Sequence, residues 1–161
     1  RIEPEIVFMM GADLKGPGVS AAEALSAVDT VWAGAEIIDS RYKDFRFTAG
    51  DVAADNASSG FFVTGPIGLP PSALDLSMEG VLVEVDGVVV SSATGAAVQG
   101  HPAEALALAA NDLARRGHGI EAGWIVLTGG MTDAVFAPPG VAVSCEFTNL
   151  GSVHLNGGPA A

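Results

Sequence analysis

An Asp-Gly pair between two runs of β-branched residues restricts the fold of this chain more than any other feature. Residues 81–90 read VLVEVDGVVV, so Asp86 and Gly87 separate two short apolar runs. Asp-Gly favours the tight two-residue turn that joins antiparallel strands, because this turn needs positive φ angles. The sequence therefore predicts a β-hairpin at this point.

Further apolar runs predict six more strands, because each is short and is bounded by turn-forming residues. These runs are residues 2–10, 31–39, 61–63, 125–127, 141–147 and 152–155. Loops or turns are expected at residues 11–18, 41–57 and 66–72, and a loose tail at 156–161. No internal repeat or domain boundary is visible, so we expect one domain.

Two segments predict helices. Ser20 and Glu23 form a capping-box pattern before a helix over residues 21–29. A second helix begins at His101-Pro102 and stops at Gly117, since Pro suits a first turn and Gly a stop. Its helically spaced apolar positions are Ala105, Leu108, Ala109 and Leu113. The fold class is therefore mixed α+β, β-dominated, with two helices.

Composition excludes several classes of protein. The chain has 161 residues, 49% hydrophobic and 16% charged, which excludes intrinsic disorder. Its net charge is −12, and without a basic run it is a poor binder of nucleic acid. No apolar run approaches the length of a membrane span. The single cysteine, Cys145, excludes a disulfide framework and a thiolate zinc site, and we expect it in the core. It is compatible with the cytoplasmic location that we expect.

Glu3 and Glu5 are the first candidates for chemistry. They lie two apart on a predicted strand, so both side chains leave the same face. The intervening Pro4 places this position at a sheet edge or strand start. Two carboxylates on one face repel unless a cation lies between them, and a hard divalent cation such as Mg²⁺ takes oxygen ligands. The alternative is two solvated acids at a frayed terminus.

Glu36 is the second candidate, because it interrupts an otherwise apolar strand. A carboxylate in that position needs a metal or an ion-pair partner, since burial of an unpaired charge is costly. Arg41 or Lys43 is the alternative partner. Together with Glu3 and Glu5, Glu36 makes a set of three carboxylates.

The segment from residue 39 to 59 concentrates cations, aromatic residues and small polar residues. Arg41, Lys43 and Arg46 are three of only seven basic residues. Beside a metal site they favour recognition of a carboxylated substrate, although a solvated loop has the same composition. Asn56 and Ser58 are candidate substrate contacts.

A glycine-rich loop, TGGMT, follows the predicted strand at 125–127. Its glycines permit close approach of the backbone to a ligand, which makes Gly130 and Thr132 further candidates for substrate binding. A plain turn is the simpler interpretation. None of the three histidines has metal-ligand spacing to another, and nucleophile-elbow, dinucleotide and P-loop motifs are absent.

Six blocks, taken together and in order, resemble the 4-oxalocrotonate decarboxylase and 2-oxopent-4-enoate hydratase family of the fumarylacetoacetate hydrolase superfamily. The blocks are EPEI, GAEIIDSRYKDF, VAADNASS, GHPAEALALAANDLA, LTGGMTDAV and NLGSV. The resemblance extends from Arg1 to about Leu155. It implies a β-roll with a few helices, and a catalytic domain over residues 1–155.

The same resemblance implies Mg²⁺ or Mn²⁺ bound by Glu3, Glu5 and Glu36, with the ion chelating the 1-carboxylate and 2-oxo oxygen of a 2-oxo dicarboxylate. Our mechanistic hypothesis gives Arg41 and Lys43 catalytic roles, as groups that position a substrate carboxylate. The segment IDSRYKDFRF resembles the decarboxylases more than the hydratases. The expected activity is metal-dependent decarboxylation of 2-oxohex-3-enedioate in the meta-cleavage degradation of aromatic compounds.

Alternatives remain at this point. Hydration of 2-hydroxypenta-2,4-dienoate uses the same kind of site, and a non-catalytic subunit supporting a related enzyme is a third interpretation. An acyl-pyruvate hydrolase would need a water-activating base that we cannot assign. The family carries an N-terminal region with a lysine-containing motif that these residues do not match, so we expect part of the family's site to be absent from this sequence. A homo-oligomer, or a complex with the hydratase, is the expected assembly.

Overall fold

Two antiparallel sheets of four strands form the framework in a computed structural model that describes residues 1–158. The strands run as follows: β1 Ile2–Met10, β2 Val28–Ile38, β3 Ser59–Leu69, β4 Gly80–Val85, β5 Val88–Thr94, β6 Ile125–Leu127, β7 Ala142–Phe147 and β8 Gly151–Asn156. The first sheet has the order β3-β2-β1-β6 and the second β5-β4-β7-β8. Three helices accompany them within the described residues: α1 Ala21–Ser26, α2 Ala49–Ala54 and α3 Pro102–Arg115. The mixed, β-dominated fold class is confirmed.

The predicted hairpin is present. Strands β4 and β5 pair antiparallel, and Asp86 and Gly87 join them with φ angles of 48° and 78°. Both angles are positive, as a two-residue hairpin turn with the twist of the flanking strands requires.

The hydrophobic core lies between the two sheets. Ile6 and Phe8 of β1 are completely buried, in one cluster with Val83 of β4 and Cys145 of β7. Burial raises the pKa of the Cys145 thiol to about 11, so this side chain stays neutral. Its predicted place in the core is confirmed.

The buried face of α3 differs from the predicted one. His101 caps this helix by accepting a hydrogen bond from the backbone N–H of Ala103 at 3.1 Å. Leu108, placed on the apolar stripe by the sequence pattern, is 57% exposed, whereas Leu106 and Ala110 are fully buried. Alanine and leucine occur all around this helix, so the spacing of apolar residues does not determine which face is buried. The orientation of the helix is fixed by Asn111, whose side chain makes two 2.9 Å hydrogen bonds with the backbone of Val19.

Several predicted boundaries were wrong. Helix α1 ends at Ser26, and β2 begins at Val28, so Asp29 belongs to the strand. Strand β3 continues to Leu69 through the expected turn. Asn156 ends β8 instead of opening the tail, and residues 159–161 of that tail lie outside the described part of the chain.

The segment expected to be a loop contains α2. Thr48 and Asp51 form a capping box at its start, with Thr48 accepting from the Asp51 backbone N–H at 3.4 Å. Among the described helices none is long and apolar enough to cross a bilayer.

Candidate metal centre

Strand β1 sends alternate side chains to opposite faces of its sheet. The even-numbered residues Ile2, Ile6, Phe8 and Met10 enter the core. The odd-numbered residues therefore form a stripe along the other face, which we call the β1 stripe: Arg1, Glu3, Glu5, Val7 and Met9.

The register of β1 and β2 brings the candidate glutamates together. Glu3 lies directly opposite Glu36, and Glu5 lies opposite Gly34. One carboxylate oxygen from each of Glu3, Glu5 and Glu36 lies within 4.8 Å of the others. Like charges directly opposite one another in a sheet are destabilising, so this arrangement calls for a proton or a cation between them.

The position of Pro4 explains how β1 accommodates a proline. Strand β6 pairs only with residues 7–9 of β1, so the backbone of Pro4 faces a loop instead of a strand. Its carbonyl accepts from the backbone N–H of Met131 at 2.9 Å, and no N–H is needed there. The expected local edge is confirmed.

Burial acts strongly on two of the three carboxyl groups. Glu5 is 2% exposed, and its burial raises its pKa to about 8, even though the Gly129 N–H stabilises the charged form. Glu3 is half-buried, and burial followed by the charge of Glu36 raises its pKa as well. Without a cation the cluster therefore retains protons that isolated glutamates lose.

The glycine-rich loop after β6 contacts this cluster. The backbone N–H of Gly129 donates to a carboxylate oxygen of Glu5 at 2.7 Å. A Cβ at Gly130 would lie 2.6 Å from a carboxylate oxygen of Glu3. Thr132 turns its hydroxyl to the backbone carbonyl of Asp133 at 2.9 Å. The structure thus brings Gly130 to the carboxylates, while the Thr132 hydroxyl is engaged locally.

The donor set fits a hard divalent cation. All three groups offer carboxylate oxygen, the ligand type that Mg²⁺ and Mn²⁺ prefer. One oxygen of each group lies within 4.8 Å of the other two, so a single ion could contact all three. Glu3, Glu5 and Glu36 could therefore hold such an ion and leave coordination positions for other ligands.

A cavity of about 640 Å³ lies at the Arg1 end of the β1 stripe. Its walls include Arg41, Lys43 and the exposed Phe136. The Arg1 guanidinium lies 4.4 Å from the centre of the Phe45 ring, a cation–π distance. The cavity is therefore lined by three cationic side chains and one carboxylate, that of Asp44, and this excess of positive charge suits an anionic ligand.

Asp55 is buried and organises the segment that carries these cations. Its carboxylate accepts from the Ser58 hydroxyl at 2.8 Å, the Ser40 hydroxyl at 3.1 Å and the Arg41 backbone N–H at 3.2 Å. The Arg41 Nε lies 2.8 Å from the same carboxylate. Arg41 therefore pairs with Asp55, and the alternative ion pair between Glu36 and Arg41 does not form.

Ser58 and Asn56 differ in availability. Ser58 is 3% exposed and gives its hydroxyl hydrogen to Asp55, which favours a structural role. Asn56 is exposed and, with Ala57 and Ser58, has a positive φ angle, between 52° and 60° in the three residues. Backbone strain of this kind is concentrated at functional sites. The roles of Arg41, Lys43, Asn56 and Ser58 stay predictions.

Sequence reasoning did not single out Asp55 or the Gly129 N–H. Asp55 lies within the VAADNASS block, but its partners are up to 15 residues away, so no local pattern identifies it. Gly129 belongs to the glycine-rich loop that the sequence identified as a candidate ligand contact. The sequence did not predict that the Gly129 N–H would bind Glu5.

Comparison with known proteins gives a consistent picture. Residues 1–156 match the family described as fumarylacetoacetate (FAA) hydrolase, C-terminal. A 4-oxalocrotonate decarboxylase from a Pseudomonas species is 46% identical over 156 residues, which cover 97% of this chain and 60% of that protein. A 2-hydroxyhexa-2,4-dienoate hydratase from Comamonas testosteroni is 42% identical over 155 residues, which cover 96% of this chain and 59% of the relative.

A solved structure is similar as well. The 4-oxalocrotonate decarboxylase from Pseudomonas putida G7, complexed with magnesium and adipate, aligns with a TM-score of 0.92 and 44% identity. The alignment covers 95% of this chain and 58% of that one. The chain thus spans about 60% of the length of the curated relatives that it matches.

Proposed function

The chain belongs to the fumarylacetoacetate hydrolase family, and on that basis we propose that it serves the metal-dependent decarboxylation of 2-oxohex-3-enedioate (4-oxalocrotonate) to 2-hydroxypenta-2,4-dienoate. This is a carbon–carbon lyase reaction of the meta-cleavage degradation of aromatic compounds. The cluster of Glu3, Glu5 and Glu36 is the observation that carries the proposal. The 46% identity to a 4-oxalocrotonate decarboxylase supports this activity among those of the family.

Glu3, Glu5 and Glu36 would hold Mg²⁺, or Mn²⁺ in its place. When bound, the ion supplies Lewis-acid stabilisation of negative charge on an oxygen of the substrate. The similar decarboxylase structure, which contains magnesium, supports this choice.

The chain's own residues act by position and charge. The Gly129 N–H holds one Glu5 oxygen at 2.7 Å and so fixes that carboxylate. Burial of Glu5 keeps water from its side of the cluster. Arg41 and Lys43, at the basic cavity, are proposed to position a substrate carboxylate, and Asn56, Ser58, Gly130 and Thr132 to line the substrate.

The reaction needs no covalent nucleophile. The C5–C6 bond breaks, and its electron pair forms the C4–C5 double bond. The C3–C4 double bond shifts to C2–C3, and the 2-oxo oxygen receives the negative charge. The products are CO₂ and, after one protonation, 2-hydroxypenta-2,4-dienoate.

The direct test is release of CO₂ from 2-oxohex-3-enedioate, with and without Mg²⁺. We expect metal-dependent release, and we expect Glu36→Gln to reduce it at least 100-fold, because Lewis-acid stabilisation is worth several kcal/mol. Glu84→Gln, which changes a strand glutamate outside the cluster, is the matched control and should retain activity. Full activity of Glu36→Gln would contradict the assignment.

Hydration is the second candidate, because a hydratase is 42% identical to this chain. Product analysis separates the two reactions. A hydratase converts 2-hydroxypenta-2,4-dienoate to 4-hydroxy-2-oxopentanoate, whereas a decarboxylase accumulates the dienoate. Absence of Mg²⁺ binding in a titration of the isolated chain would favour a supporting subunit.

We also propose a cytoplasmic, oligomeric protein, either a homo-oligomer or a complex with the hydratase. Its exposed large apolar side chains support association with another protein surface; Phe61 is 75% exposed and Phe136 is 69% exposed. Size-exclusion chromatography with light scattering, alone and with the hydratase, tests this assembly.

A further inference from the structure

One asparagine of this chain precedes a glycine. Asn156 is followed by glycine, whereas the residues after the other three asparagines are Ala57, Asp112 and Leu150. In spontaneous deamidation, the backbone nitrogen of the following residue attacks the asparagine side chain. A side chain on that residue hinders the attack, and glycine permits it because it has the greatest backbone freedom. The sequence therefore distinguishes Asn156 from the other asparagines.

The structure separates Asn156 from Asn149 and Asn111 as well. The Asn149 side chain donates to the buried Glu79 at 2.7 Å, and the Asn111 side chain is bonded to the backbone of Val19. Asn156 is exposed at the last position of β8, an edge strand of the second sheet. The end of an edge strand opens more readily than the centre of a sheet, because fewer contacts hold it.

Gly157 lies in a narrow space beside the start of β7. Its backbone N–H donates to the Val141 carbonyl at 2.9 Å. A Cβ on Gly157 would lie 2.9 Å from the Pro138 carbonyl oxygen and 2.9 Å from the Gly140 nitrogen. The packing therefore requires glycine at position 157, and the reactive dipeptide is a consequence of that requirement.

The folded backbone opposes the reaction. Ring closure must join the Gly157 nitrogen to Cγ of Asn156. A side chain in a strand stands roughly perpendicular to the sheet, whereas this nitrogen lies in the sheet and donates to Val141. The hydrogen bond must break, and Asn156 must leave the extended conformation, before the two atoms can meet. The reaction therefore passes through local opening at the end of β8.

We propose that Asn156 is a site of spontaneous deamidation, and that opening of the hydrogen bond between Gly157 and Val141 controls its rate. The Gly157 nitrogen loses its proton to base and attacks Cγ of Asn156, and the side-chain nitrogen leaves as ammonia. The result is a cyclic imide. Water then adds to one of its two carbonyl groups and opens the ring. The product is aspartate, or isoaspartate, in which the backbone runs through the former side chain.

The two products differ in their effect on β8. Aspartate adds a negative charge without altering the backbone, so the pairing of residue 156 with Ala142 is retained. Isoaspartate adds one carbon to the backbone, which displaces Gly157 and breaks its hydrogen bond to Val141. Asn156 and Gly157 line the same cavity of about 190 Å³ as Arg1, which also lines the basic cavity. Both products therefore change the surroundings of that cation.

Peptide mapping by mass spectrometry tests the proposal. The 161-residue chain would be incubated at mildly alkaline pH, folded in buffer or unfolded in urea, and digested at successive times. Cleavage after Arg116 leaves Asn149 and Asn156 in one peptide, and fragmentation assigns a gain of one mass unit to either residue. We expect the gain at Asn156 in both samples, at least about tenfold more slowly in the folded chain. Asn149 of the folded chain should not change.

Amide hydrogen exchange tests the control by opening. The ratio of the unfolded to the folded deamidation rate should match the protection factor of the Gly157 amide. Leu155→Ala removes apolar contact at the end of β8 and should lower both values in parallel. Val89→Ala, at an exposed position of the other edge strand of this sheet, is the matched control and should leave both unchanged. Asn156→Gln, whose longer side chain closes the ring poorly, should show no gain at position 156.

Three results would overturn the proposal. One is a folded chain that gains no mass at Asn156 while the unfolded chain reacts to completion. Another is the same rate in folded and unfolded chains, and the third is a rate ratio that differs from the protection factor of Gly157. The last comparison uses wild type, so it decides the matter even if Leu155→Ala misfolds. Loss of Gly157 protection in the isoaspartate product, with protection retained in Asn156→Asp, would support the effect on β8.

Discussion

At the scale of single residues, Gly130 limits how close the backbone comes to the candidate metal centre. A Cβ there would lie 2.6 Å from a Glu3 oxygen and 2.9 Å from the carbon that carries it. We expect Gly130→Ala to displace Glu3 and weaken Mg²⁺ affinity at least tenfold, a measurement suited to isothermal titration calorimetry. Overall stability should change little, since Glu3 is only half-buried.

Gly50→Ala is the matched control for this prediction. Gly50 lies in α2, where an added Cβ would meet only the Thr48 hydroxyl, at 3.9 Å. Replacing a helical glycine by alanine should stabilise the chain by up to about 1 kcal/mol and leave Mg²⁺ affinity unchanged. If Gly130→Ala binds Mg²⁺ as tightly as wild type, the glycine-rich loop moves to accommodate the added Cβ and Glu3 is not displaced.

The sequence identified functional residues where their role could be inferred from neighbouring positions in the chain. Glu3 and Glu5 share a face because strands alternate, and Glu36 was identified because it interrupts an apolar run. Asp55 was not identified, because its role comes from hydrogen bonds with Ser40 and Arg41, which precede it by 15 and 14 residues. Chemistry that depends on such contacts is invisible until the fold is known.

At the scale of structural elements, the segment from residue 39 to 59 depends on the charge of Asp55. Burial alone would raise its pKa, but hydrogen bonds from Ser58, the Arg41 backbone and Ser40 outweigh it, and the pKa of Asp55 is lowered from its ordinary value. The stabilisation is therefore complete above the ordinary aspartate pKa and is lost as the pH falls through the lowered one. We expect this segment to open in acid before the sheets unfold.

Amide hydrogen exchange is the measurement for this prediction. Protection of the Arg41 and Ser58 amides should fall about tenfold when Asp55→Asn removes the charge at pH 6, because hydrogen bonds to charged groups are the stronger ones. Asp29→Asn, at an exposed position, should leave protection unchanged. Equal acid sensitivity in wild type and Asp55→Asn would exclude Asp55 as the titrating group.

Elements were predictable where the local signal was strong. The β4–β5 hairpin and α3 carry turn and capping residues that specify them without help from the rest of the chain. Helix α2 was missed because its six residues are too few to show periodicity, although Thr48 and Asp51 marked its start. The buried face of α3 was assigned wrongly because it depends on Val19, 92 residues from its partner Asn111.

At the scale of the whole molecule, strand order had to come from the structure. Strand β1 pairs with β6 more than 110 residues later, and no local pattern encodes such a pairing. That pairing brings the Gly129 loop to the carboxylates, while the β1–β2 register sets Glu3 against Glu36. The strand count and class follow from composition and periodicity, whereas the site follows from topology.

The same topology makes stability depend on the cation. Three carboxylates gathered on one face oppose folding when no cation is bound, and a ligand that binds only the folded chain stabilises it. At a Mg²⁺ concentration 100 times Kd, the gain is about 2.7 kcal/mol. For a domain of this size that corresponds to a rise in Tm of about 5–10 °C.

Glu3→Gln separates this effect from general ionic stabilisation. Removal of one charge relieves the repulsion, so this variant should be more stable than wild type in EDTA, yet gain little from Mg²⁺. The two melting curves should therefore exchange order as Mg²⁺ is added, as followed by differential scanning calorimetry, whereas KCl of equal ionic strength should leave the order unchanged. Parallel gains in both proteins would mean that Mg²⁺ acts on the −12 net charge of the surface and not on the cluster. An exchange of order would show that Mg²⁺ stabilises the folded chain by binding at the carboxylate cluster, where it offsets the repulsion between the three glutamates.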